Sequence, residues 1–408
     1  MRGRICIVSP GNLASNPRLV KEADALHEAG YAVTAVVCNY VEALRAFDDE
    51  IADRVGWTVV RVPRDPGESW KGRAAALAVR ALSGAGLTPS PALAAEAYGG
   101  PTAPLRRAAM RVPADLYLAH YVPGLAAAGA AAERHSAMLG FDAEDFHEGE
   151  GSPFHRRMVE VIDRAFIGRC RHLTAAAPLI GEAYRARYGV PATTVLNVFP
   201  LAMAPASPRP AGAAGTCRAY WFSQTIGLDR GLQSFIEAMA VARTMVTLDI
   251  RGSNRWGHGD TLLALARSRG IGDRVRLLPM AAPEDMVTLA AEYDLGLSLE
   301  TDVSENRRLC LTNKIFTYLL AGVPVLMSDT PAQCGIAPDL GAAARIVSLD
   351  DPAGIAATLD ALAGEAGGLE GAADRAWQLG RERYNWEVEK KALVASVDRA
   401  FANRRQGS

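Results

Sequence analysis

Several things are scarce in this chain, and each absence removes a class of protein. There are six cysteines, at positions 6, 38, 170, 217, 310 and 334, with no Cys-x-x-Cys pair and no histidine cluster beside them. A disulfide framework and a cysteine-rich zinc site are thereby excluded, and buried thiols in a reducing compartment are expected. Neither sign of charge dominates: 44 basic residues face 45 acidic ones, for a net charge of −1. That balance argues against a protein built to grip nucleic acid. No run approaches the ~20 apolar residues of a membrane span. The apolar run in "MRGRICIVSPGN" is too short for a secretory signal, so a soluble, cytoplasmic protein is expected. G-x-G-x-x-G and the P-loop are both missing, which leaves nicotinamide dinucleotides and P-loop chemistry without support. Asp-x-Asp is missing too, no grouping of residues reads as a metal cluster, and no metal or cofactor is expected.

What is present is hydrophobic substance and a repeating rhythm. The chain has 408 residues, 49% of them hydrophobic, which suits two domains of roughly 150–200 residues each. "RICIVS", "YAVTAVVC", "WTVVRVP", "ADLYLAH", "LGFDAED", "HLTAAA" and "TTVLNVF" are strand candidates, with helical patterns such as "PRLVKEADALHEAG" among them. The stretch "PLAMAPASPRPAGAAGTC", with four prolines, interrupts the rhythm as a linker would. It then restarts with "RAYWFS", "GLQSFIEAMAVAR", "VTLDIRG", "GDTLLALARSRG", "RVRLLPM", "PEDMVTLAAEY" and "LGLSLE". The reading is an α/β protein of two Rossmann-like domains in tandem, 1–200 and 218–385, joined by 201–217 and facing a central cleft. The Ala-rich segment 71–112, with Arg73, Arg80, Arg106, Arg107 and Arg111, reads as a pair of solvated helices. Its alternatives are an acceptor-side lid or a patch that touches an anionic membrane surface.

Four places carry candidate chemistry. In "YWFSQTIGLDRGLQSFIEA" a strand ends near Ser223 and Arg230-Gly231 open a helix, where free N–H groups and a guanidinium suit anionic oxygens. In "LTNKIFTYLLAGVPVLMSD" Asn313 and Lys314 stand at a helix start. Either feature alone is also an ordinary capped helix or a surface lysine; two in one domain point to a shared diphosphate. His120 follows one strand, and Asp142, Glu144, Asp145 and His147 follow the next, at the carboxyl ends that face ligands in such sheets. A lone histidine more often plays a structural part, but two with several carboxylates are harder to set aside. In the first turn, Pro10-Gly11 end a strand and Asn16-Pro17 fit N-cap and N1 of the next helix.

These residues resemble a family. "YWFSQTIGLDRGLQSFIEA", "VRLLPMAAPEDMVTLAAEYDLGLSLE", "NKIFTYLLAGVPVLMSD" and "YNWEVEKKALVASV" stand in the order seen in GT-B glycosyltransferases of the retaining family-4 type. "PRLVKEADALHEAGYAVTAVV" and "DLYLAHYVPGLAAAGAAAE" extend the resemblance over nearly the whole chain. It implies that Arg230 and Lys314 bind the donor diphosphate and that His120 sits by the transferred sugar. Gly11, Ser223, Gln224, Gly252 and Met280 would join them on the donor, with Glu305, Asn306, Asn313 and Thr317. Asn16, Arg18, Asp145 and His147 would lie on the acceptor side, and the helix around Trp386 would cross back onto the first domain. Two departures stand out. The family's paired glutamates fall on Leu309 and Thr317, and its second basic residue, ahead of Arg230, falls on Gln224 or Thr225. Glu300, Glu305 or Asn306 would then face the donor sugar.

The expected function is a metal-independent, retaining, hexosyltransferase-like enzyme of glycan or natural-product biosynthesis. It would use a nucleotide-diphosphate sugar and an acceptor that is a glycan, a lipid-linked glycan or a small molecule. Its rivals are a sugar-nucleotide 2-epimerase using Glu144 and Asp145, and a degenerate GT-B module that only binds.

Overall fold

The computed structural model describes residues 2–63, 68–208, 215–364 and 368–406. Two parallel sheets organise them. The first contains β1 (Arg4–Ser9), β2 (Ala32–Asn39), β3 (Thr58–Pro63), β4 (Leu116–His120), β5 (Met138–Ala143), β6 (Cys170–Ala175) and β7 (Thr193–Thr194), in the order β3-β2-β1-β4-β5-β6-β7. The second contains β8 (Thr216–Thr225), β9 (Met245–Ser253), β10 (Val275–Leu278), β11 (Leu295–Ser298), β12 (Val325–Ser328) and β13 (Ala344–Val347), in the order β10-β9-β8-β11-β12-β13. Every pairing is parallel, with Val8 opposite both Val36 and Ala119, and Tyr220 opposite both Asp249 and Gly296. Central strands buried on both faces read as unbroken apolar runs rather than as alternation, which is why "ICIVS" and "LYLAH" are wholly buried.

By contacts the chain divides into Met1–Val195 with Lys390–Ser408, and Leu196–Glu389. In the first unit Ile5, Leu19, Val37 and Leu118 pack with Val397 and Phe401 of the last helix, Trp386–Gln406. That helix is also held by polar contacts: Asp398 accepts from Arg2 at 3.0 Å and from Tyr31 at 2.5 Å. In the second unit Trp221, Phe235, Leu248, Leu297 and Leu359 form the core. Both sheets reverse direction beside their first strand, at β1/β4 and at β8/β11. Loops on either side of such a point diverge and leave a crevice at the carboxyl edge.

Several expectations meet differences. "TTVLNVF" yields only the two-residue β7, and β13 is a strand that the sequence reading did not name. The second domain's first strand starts at Thr216, inside the expected linker, whose residues 209–214 lie outside the described residues. The Arg-rich segment forms three helices rather than a pair, Glu68–Gly84, Pro91–Tyr98 and Thr102–Ala109, broken by Pro91 and Gly99-Gly100. Trp70, Leu77 and Leu87 are exposed there.

Candidate active site

The polar centre of the second unit lies at its β8/β11 switch point. The turn after β8 carries Arg230 and the turn after β11 carries Glu300. Gly231 joins them: it has the left-handed φ of +64° at the N-cap of Leu232–Val241, and a Cβ there would lie 2.8 Å from the Cβ of Leu299. A side chain at 231 would push the two turns apart. Thr312 is the N-cap of the helix Asn313–Ala321, and its hydroxyl meets Ser298 of β11 at 3.1 Å. This contact carries Lys314 toward the same point. A short helix, Glu305–Leu309, is capped by Ser304, which accepts from the Arg307 amide at 3.2 Å, and brings in a third cation.

All three cations converge on Glu300. One carboxylate oxygen accepts from Arg230 Nη1 at 3.0 Å and from Arg307 Nη1 at 2.9 Å; the other faces Lys314 Nζ at 2.9 Å. Burial pushes the Glu300 carboxyl up, but Lys314, Arg230 and Arg307 together outweigh that and hold it at about 2. Lys314 also lies 5.8 Å from the ring centroid of the buried Trp221. With Asp229 beside Arg230, three cations face two carboxylates and leave an excess of one positive charge. Arg230 Nε is buried and has no hydrogen-bond acceptor among the described residues; the Asp229 carboxylate lies 3.6 Å from it. Such a site is built to receive an anion.

The other expected donor residues divide by burial. Asn313, Gln224 and Glu305 are exposed, Met280 is 58% exposed, and Ser223 is half-buried. Gly252 is buried where a Cβ would come within 2.6 Å of the Ser223 carbonyl. Asn306 is buried. Thr317 corrects an expectation: it is fully buried, its hydroxyl donates to the Asn313 carbonyl at 3.0 Å, and it offers nothing to a ligand. Glu300 and Arg307 are what the sequence reading placed least well. Glu300 was expected at the sugar but lies beneath the cations, and Arg307 was not singled out.

The first unit gathers a different set around its β1/β4 switch point. Arg18 was expected to face an acceptor; instead its side chain is 1% exposed. It grips both Asp142 oxygens, at 2.6 and 2.7 Å, and donates to the Val195 carbonyl. Its partner Asp142, raised by burial but lowered further by Arg18, is held at about 2. Asn16 caps the helix Pro17–Glu28 by accepting from Leu19 N at 3.0 Å, and its amide lies 3.4 Å from His120 Nδ1. His120 is buried too, with Nε2 at 2.9 Å from Glu22. Burial lowers its pKa, but Glu22 and Asp142 raise it overall. Asn16, Arg18 and His120 therefore form a closed polar network within the first unit, not the ligand-facing surface expected of them. An N-terminal helix of mixed charge had to fold against the sheet before this could be seen.

The residues of this edge that remain partly open are Gly11, Glu144, Asp145 and His147. Tyr121, directly after His120, holds a left-handed φ of +58°, one of two non-glycine residues to do so among the described residues, and its hydroxyl donates to Glu144 at 3.2 Å. Strain of this kind gathers at functional sites. Burial raises the Glu144 pKa and lowers that of His147, and it lowers Lys21 to about 7. The expectation of no metal cluster also needs amendment, because Glu22, His120 and Asp142 converge closely enough to offer three ligands. The Arg18 guanidinium already spans both Asp142 oxygens, so this donor set is neutralised by a side chain.

Comparison with known proteins identifies the architecture. No family model and no curated protein matches the sequence. Among solved structures, HepE of Anabaena in complex with UDP-glucose is similar at a TM-score of 0.69, with 14% identity over 97% of this chain and 99% of its own. Sucrose-phosphate synthase from Thermosynechococcus elongatus gives 0.68, with 11% identity and coverages of 98% and 99%. A glycosyltransferase from Rickettsia africae gives 0.67, with 8% identity and coverages of 97% and 98%. At such identities the likeness is one of fold. The chain has the GT-B fold. Within GT-B, the second unit's switch point holds Arg230, Arg307 and Lys314 on Glu300, and the first unit's edge holds Tyr121 and Glu144. No described helix is long and apolar enough to cross a membrane.

Proposed function

We propose that this protein is a glycosyltransferase that moves a sugar from a nucleotide-diphosphate donor to an acceptor hydroxyl, with retention of configuration and without a metal ion. The observation that carries the reading is the meeting of Arg230 and Lys314, from two separate turns, over a single carboxylate at a switch point. In the reaction the bond from the sugar's anomeric carbon to the diphosphate oxygen breaks, and a bond to the acceptor oxygen forms on the same face. The acceptor proton passes to the departing phosphate oxygen, so no strong protein base is required. The cations stabilise the charge that grows on the leaving diphosphate, and they do so without reorganising.

No cofactor takes part; the nucleotide sugar is a co-substrate. The exposed Trp70, Leu77 and Leu87 among Arg73 and Arg80 support peripheral contact with an anionic membrane surface. Cosedimentation with phosphatidylglycerol vesicles, against phosphatidylcholine alone, checks that part.

The test is turnover with uridine, guanosine and adenosine diphosphate sugars, following release of the nucleoside diphosphate and the anomeric configuration of the product by NMR. Arg230→Ala or Lys314→Ala is expected to lower turnover by about 10²–10³, the scale seen when one oxyanion donor is lost. Full activity in both variants would sink the reading. The 2-epimerase alternative draws on Glu144 and Asp145, and donor incubated alone would then yield its C2 epimer.

A further inference from the structure

We infer that Glu300 is the template that sets the cation cluster and that Arg307 is the cluster's third anion-binding member. The inference rests on the proposed donor site and adds two residues to it. Depth orders the four groups: the Glu300 side chain is 1% exposed, Lys314 7%, Arg230 18% and Arg307 22%. The carboxylate is thus the floor, and the cations stand between it and solvent, where a diphosphate would approach. Glu300 is not a mobile gate. Its backbone carbonyl accepts from Ser328 Oγ at 2.6 Å, and Ser328 Oγ accepts in turn from the Gln333 amide at 2.8 Å.

One carboxylate has two oxygens and a fixed spread, so three cations in contact with it are held at fixed distances from one another. Without it, three like charges brought together from three elements repel and swing toward water. Binding an anion would then have to gather them again, which is the cost that a preorganised site avoids. The template also sets the charge. With Glu300, and Asp229 beside Arg230, the cluster keeps an excess of one positive charge, which suits an anionic ligand. Arg307 shares the oxygen that Arg230 uses, so the two guanidiniums present neighbouring forks to the same ligand, a geometry suited to phosphate oxygens. Glu300 acts through these groups and is a positioning residue.

The experiment is calorimetric titration of the full chain with UDP, GDP and ADP, for the wild type, Glu300→Gln, Arg307→Gln and the double variant. Each single change is expected to weaken the best-bound nucleoside diphosphate by about tenfold, and the double variant to stay within about threefold of the weaker single, because the two act as one unit. Multiplication of the two losses to roughly a hundredfold would mean independent action and would overturn the template. If Glu300→Gln fails to give the folded circular-dichroism spectrum, Arg307→Gln decides: its side chain is partly open, and unchanged affinity there overturns the inference. A wild type that binds none of the three would bring down the donor-site reading, and this inference with it. Wild-type binding with all variants unaffected would remove the inference alone.

Discussion

At the scale of single residues, two buried carboxyls make opposite predictions about pH. Glu300 is held at about 2 against an ordinary 4.5. Its stabilising contribution is therefore complete above about pH 4.5 and lost as pH falls toward 2, worth about 3 kcal/mol at 1.36 kcal/mol per unit. Urea unfolding at stepped pH should show part of this acid sensitivity vanish in Glu300→Gln. Asp163 is the reverse case. It is fully buried, and desolvation, outweighing the nearby Tyr184 hydroxyl, raises its pKa well above 3.8. Its folded form keeps a proton that the unfolded chain releases, so its contribution is present below about pH 3.8 and declines as pH rises to the raised value. Asp163→Asn is expected to be more stable than wild type at neutral pH, with a flatter stability profile; an unchanged slope would count against it. Sequence alone gives neither residue its titration behaviour, since each depends on what surrounds it in space.

At the scale of elements, the turns after β8 and β11 decide the site. Gly231→Ala places an L side chain at positive φ, costing roughly 1–2 kcal/mol, and drives its Cβ into Leu299. Loss of stability together with weakened nucleoside diphosphate binding is expected, because Arg230 shifts with its turn. Thr317→Glu offers a second test. The position is fully buried, so an introduced carboxyl group must leave water and costs roughly 2–7 kcal/mol if it stays unpaired; it should not raise activity. The helix start at Asn313-Lys314 was legible because a polar N-terminus followed by an apolar run has one local reading. The burial of Thr317 was also written in that run, as helix periodicity. Arg307 was not legible, because a five-residue helix has too short a pattern to register.

At the scale of the whole molecule, two units each carry their own sheet and core. A ligand that binds one native unit stabilises by mass action. Nucleoside diphosphate at about 100 times its dissociation constant should add about 2.7 kcal/mol. Hydrogen exchange would show that as slowed exchange in β8, β11 and the helix Asn313–Ala321, more than in β1 and β4. Protection confined to the first unit's sheet would contradict the placement of the donor.

By itself the sequence determined the alternation of strand and helix, the parallel sheets and the turns where Arg230 and Lys314 lie, because hydrophobic periodicity and helix-start chemistry act over a few neighbouring residues. Which polar groups meet was decided only by the tertiary structure. Arg18 reaching Asp142, His120 reaching Glu22, and Arg230 reaching Glu300 join residues distant in the chain. Charge pairing in a low-dielectric interior follows distance in space, to which sequence separation is no guide.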